Sequence, residues 1–191
     1  MPLLGSFAGG SARGLGGLRS FGALVAGDDG AVFPLASFIV GTSTATITIS
    51  GIPNTYTHLL LTARERKTDS TGTSSHLIFN TDDNTSNYDS VQMYGTNSTA
   101  TGGKTTANSL ALFGTMLNFS ATWAMIYDYK NTNKNKTFDS LIGTVNASDG
   151  YALYRSGSYF GSTSAVNSIR FTLQGGASFA VGTSYALWGV K

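Results

Sequence analysis

The 191-residue chain predicts an all-β fold: an antiparallel β-sandwich of jelly-roll-like order, carrying an extended glycine-rich arm at its N-terminus. Three observations predict it. Charged residues make up only 12% of the chain and Glu65 is its single glutamate, so the Lys, Arg and Glu that form the outer faces of helices are missing. Serine and threonine, 23 and 25 of them, must solubilise the surface instead. Beyond Phe33 the apolar pattern has a period of two, and turn clusters rich in Gly, Asn and Asp punctuate it at short intervals.

The first segment, residues 1 to 32, differs from the rest. Nine of the first thirty residues are glycine, interleaved with Leu3, Leu4, Phe7, Leu15, Leu18 and Phe21. Glycine carries a large ordering entropy, so such a segment is not expected to hold one shape alone. Yet it is too apolar for a linker, and the expectation is an assembly arm that becomes ordered on another subunit.

Residues 33 to 191 form the sandwich domain. Thr42, Thr44, Thr46 and Thr48 alternate with Ser43, Ala45, Ile47 and Ile49, a strand with one hydroxyl face. Gly51-Ile52-Pro53-Asn54 ends it, and Tyr56 to Arg64 is apolar on both faces at its centre, as a central strand is. Further strands are expected at residues 75–80, 90–94, 110–117, 123–129, 138–145, 151–155, 169–173 and 185–190. Gly102-Gly103-Lys104-Thr105 reads as a loop, because it lacks the first glycine and the strand-to-helix setting of a phosphate-binding loop.

Chemistry is sparse. Asp82, Asp83, Asn84, Asn87 and Asp89 are hard oxygen donors of the kind calcium takes, but their spacing matches no EF-hand, and Asx-rich turns bond their own backbone. No metal and no cofactor is therefore expected. His58 and His76 sit inside predicted strands with no serine in a nucleophile elbow, so no enzyme is expected. Lys130, Lys134 and Lys136 form the one basic run and read as a solvated hairpin tip. With a net charge of +2 and no cations interleaved with aromatics, nucleic acid is not an expected partner. No apolar run approaches the ~18 residues of a membrane span, and the start has no signal-peptide pattern, so membrane insertion is not expected either. Tyr151, Tyr154, Arg155 and Tyr159 cluster in YALYRSGSYF, the composition of a recognition surface where rigid rings stack on sugars. The competing reading is that alternate residues of this stretch face the core.

GIPNTYTHLLLTARER (51–66), FNTDDNTSNYDSVQMYG (79–95), DYKNTNKNKTFDSLIG (128–143) and SIRFTLQGGASFAVGTSYALWGVK (168–191) resemble the β-sandwich modules of virion structural proteins in tailed bacteriophages. The glycine-rich opening is similar to the arms by which such proteins attach to the particle. The resemblance implies a non-enzymatic virion protein, assembled in the host cytoplasm, acting as a tail fibre or tail appendage. Its implied partners are other virion proteins, copies of itself with a trimer favoured, and a host surface glycan. No coiled-coil or β-helical shaft is present, which keeps a capsid decoration protein as an alternative. A lectin-like module with no virion is another.

Overall fold

The computed structural model describes residues 31–68, 74–96, 98–105, 110–114, 119–145 and 150–191. Strands β1 (Val32–Ile39), β2 (Thr46–Ser50), β3 (His58–Glu65), β4 (Ser74–Phe79), β5 (Tyr88–Thr96) and β6 (Ala100–Thr105) are followed by β7 (Leu110–Gly114), β8 (Ser120–Tyr127), β9 (Lys136–Val145), β10 (Gly150–Tyr159), β11 (Ser168–Leu173) and β12 (Ser184–Val190). They build two antiparallel sheets packed face to face. The larger has the order β1-β12-β3-β8-β9-β10-β5-β6 and the smaller β2-β11-β4-β7. No helix among the described residues is long and apolar enough to cross a membrane.

The two-residue period accounts for the sandwich strand by strand. In β2, Ile47 and Ile49 are buried while Thr46, Thr48 and Ser50 face water. In β3, Leu59, Leu61 and Ala63 turn inward, and β11 supplies Ile169, Phe171 and Leu173 from the opposite sheet. These side chains form one core shared by both sheets, each large one contributing roughly 1.5–3 kcal/mol by leaving water. Aromatic pairs bridge the layers: Phe171 lies 4.3 Å from Tyr185 of β12, and Phe79 lies 5.6 Å from Tyr159 of β10.

Three strands differ from the sequence reading: β1, where no strand was expected, β6 and β2. The Gly102-Gly103-Lys104-Thr105 stretch is part of strand β6, not a loop. Its backbone pairs with β5, Gly102 opposite Met93 and Gly103 opposite Gln92, a pairing that needs no apolar side chain. The strand expected from Thr42 begins only at Thr46. Ahead of it the Thr44 hydroxyl bonds the Thr46 carbonyl at 3.0 Å, bending the chain locally instead of extending it. At the other end Gly51, with φ +70, adopts the left-handed turn that the Gly-Ile-Pro-Asn signal announces. The first strand, β1, lies at the edge of the large sheet, and the Lys191 amide bonds the Ala31 carbonyl at 3.1 Å. The six arm residues named above lie outside the described residues.

Candidate functional site

The turn after β4 gathers the Asx residues around one carboxylate. Asn80 and Thr81 both take left-handed backbone conformations, φ 49 and 63. Asn80 stabilises this turn by donating to the Ala165 carbonyl at 2.9 Å and accepting from the Asn167 amide at 2.9 Å. Asp82 then receives the Tyr159 hydroxyl at 2.8 Å, the Asn87 amide at 2.8 Å and the Asn84 backbone N–H at 3.0 Å. Burial works to raise its pKa, but these three donors outweigh it and hold the carboxyl below the ordinary aspartate value. Asp83 is paired with Arg170, and Asp89 with Lys104 at 2.8 Å. The carboxylates singled out for calcium are thus engaged by protein donors. Among the described residues no cluster of three His, Asp or Glu is arranged to hold a metal.

The aromatic cluster of β10 divides by parity. Tyr159 is buried, its ring 4.8 Å from Tyr88, and burial with the Asp82 carboxylate raises its hydroxyl pKa so that it stays a donor. Arg155 is also buried, with its guanidinium bonded to the Gln92 side chain. Neither side chain reaches the surface assigned to it from sequence, because odd positions of β10 face the core. Tyr154 alone of these three is exposed. Tyr151 is placed by its backbone, opposite Thr96 of β5 and Thr144 of β9.

The two histidines lie in different sheets, His58 in β3 and His76 in β4. His58 accepts the Asp128 amide at its Nδ1, 3.1 Å away, and its ring packs edge-on to Tyr127 at 5.6 Å. Burial, reinforced by the Arg155 cation, lowers the pKa of His76. Each is held by its surroundings as a structural histidine is.

Of the basic run, Lys130 and Lys134 are exposed as expected, but Lys136 is fully buried. Its ammonium donates to the Lys134 carbonyl at 2.9 Å, the Thr163 carbonyl at 2.8 Å and the Asn131 carbonyl, closing the 128–135 turn against the 160–167 loop. Lys136→Met keeps the stem and removes three charge-assisted bonds, so it should cost about 2–3 kcal/mol and lower the melting midpoint by about 5–10 °C. Lys134→Met should leave the midpoint within about 2 °C of the parent. Equal shifts for the two variants in parallel melts would refute the buried role.

The outer face of the large sheet carries Tyr154 together with three residues that sequence reasoning did not single out. Trp123 of β8, Leu141 of β9, Tyr154 of β10 and Met93 of β5 stand opposite one another in register, a row crossing four adjacent strands. They are 41%, 55%, 39% and 58% exposed, large apolar side chains on a face that an isolated sandwich would make polar. The next row towards the β5–β6 turn is small throughout: Ala121, Gly143, Ala152, Gly95 and Ala100. A ridge therefore runs beside a trough. At its β5–β6 end lies a hollow of about 490 Å³ between Met93, Leu141 and Tyr154. On the other side of the ridge row, Asp139 accepts the Tyr127 hydroxyl at 3.1 Å. The signal was present in the apolar run of β8, where Trp123 and Met125 face outward while Ala124 and Ile126 face inward. No family model, curated protein or solved structure matches the chain.

Proposed function

We propose that this is a non-enzymatic structural protein of a phage virion, a tail fibre or tail-appendage component anchored through residues 1–32 with its sandwich displayed outward. The observation that carries an assembly role is the exposed apolar row on the outer face of the large sheet, since a contiguous apolar patch rimmed by polar residues marks an interaction surface. The virion setting rests on the sequence resemblance. Strand order supports the jelly-roll reading. When the hairpins β5–β6 and β9–β10 are set aside, the orders β1-β12-β3-β8 and β2-β11-β4-β7 remain. Successive strands of that set alternate between sheets except β4 and β7, which pair with each other in the smaller one, an order that fits two interleaved Greek keys.

Quantifying the chain by mass spectrometry in purified virions tests the reading. A few to tens of copies per particle, lost on deletion of residues 2–30, is the expected result; hundreds would make it a capsid decoration protein. Absence from particles removes both. A lectin-like reading is supported by the exposed rings of Trp123 and Tyr154, which can stack on a sugar. It predicts glycan binding that survives the arm deletion.

A further inference from the structure

We infer that the outer face of the large sheet is the docking surface for a second copy of this chain, related to the first by a two-fold axis running along the ridge. The argument depends on the sheet alone, not on the virion reading. An axis lying in the contact plane between ridge and trough sets the ridge of each copy over the trough of the other. Register then makes the fit specific: Leu141 falls over Gly143, Tyr154 over Ala152 and Met93 over Gly95, each bulky residue over the small one two positions along the same strand. Such a contact is closed and self-complementary, which is what a two-fold interface demands.

Charge and area agree. Across β8, β9, β10 and β5, ridge and trough contain no ionisable group except the Tyr154 phenol, so the centre of the stack strands no charge. The whole face, eight strands about 4.8 Å apart and four rows about 6.8 Å apart, covers about 1,000 Å², against roughly 800 Å² per partner in a standard stable interface; the apolar centre is about 260 Å² of it, and Arg64, Lys104 and Asp139 stand around that centre as a polar rim does. The face is thus large enough for a pair. Sheet twist turns stacked sheets by about 30°, so register holds best near the middle of the face, at Leu141 and Gly143 of β9.

The chain has no cysteine, so single thiols can be placed at will. Leu141→Cys and Gly143→Cys are both surface changes, and nothing lies within 4 Å of a side chain added at Gly143. Under mild oxidation a mixture of the two variants should cross-link to a species of twice 19.9 kDa. Either variant alone should cross-link at least about tenfold less, because its own thiols lie one row apart in the pair and outside disulfide reach. In sedimentation, full-length protein at micromolar concentration should be a pair, and Gly143→Arg, which fills the trough, should be monomeric with its strand spectrum intact. Deleting residues 2–30 should leave the cross-link in place. Cross-linking that is equal in mixed and separate samples, a three-copy mass, or loss of the pair on arm deletion would each overturn the proposal. So would glycan binding at Tyr154 by a protein that stays monomeric.

Discussion

Phe171→Ala should lower the melting midpoint by about 10 °C. Phe171 is fully buried at the centre of β11, in register with Ile47 of β2 on one side and Leu77 of β4 on the other, both buried. Its ring meets Tyr185 of the opposite sheet at 4.3 Å, and Tyr185 in turn packs against Phe38 at 5.3 Å and Phe179 at 6.1 Å. The side chain is thus a contact between layers as well as within one. Removing it forfeits the transfer of a whole ring and opens a cavity that the two sheets, held apart by their other side chains, close only in part. The cost is about 3–5 kcal/mol, and at this chain length each kcal/mol moves the midpoint by about 2–4 °C. Phe171→Leu should retain more than half of the lost stability. A circular-dichroism melt in which the alanine variant falls by less than about 2 °C would show that the layers do not meet at this ring.

Stability should also fall as the pH rises from 5 to 8, an unusual direction for a carboxyl group. Glu65, the chain's single glutamate, is wholly buried at the end of β3. Burial pushes its pKa from 4.5 up to about 8, with the Ser75 hydroxyl, donating at 2.8 Å, pulling part of the way back. The Tyr185 hydroxyl donates to the other carboxyl oxygen. Between those two values the folded chain keeps a proton that the unfolded chain releases. Linkage then takes away about 1.4 kcal/mol per pH unit across that window. Stability is fully present below pH 4.5 and lost as the pH passes 8. His76, whose pKa burial lowers, acts in the opposite sense around its ordinary value of 6.5, so the informative quantity is the difference between parent and variant. Glu65→Gln keeps the shape and cannot ionise. Parent protein should melt several degrees lower at pH 8 than at pH 5 relative to the glutamine variant; parallel profiles would sink the assignment.

Much of this architecture was legible in the sequence, because a period of two is written locally. The Ile47–Ile49 alternation, the doubly apolar centre of β3 and the closing run at β12 each announce a strand. What escaped is whatever long-range pairing decides. β6 has no apolar alternation and is a strand only because β5 offers it a backbone partner. Lys136 looked like its exposed neighbours, since nothing in KNTNKNK reveals that three carbonyls converge on one ammonium. Tyr159 and Arg155 were assigned to a surface by composition, although parity with Leu153 already placed them on the inward side of β10. The ridge of Trp123, Leu141, Tyr154 and Met93 is visible only after four separate strands are aligned.

The β5–β6 hairpin has a kinetic consequence. β6 hangs on the outside of the large sheet, hydrogen-bonded along one side only, and residues 100–104 are all exposed. Little apolar surface resists its detachment, so its amides should exchange with solvent deuterium well before those of β3 and β12, which are paired on both sides. Peeling it away bares the free edge of β5. This protein therefore opens from one margin of its wider layer while the aromatic centre stays closed.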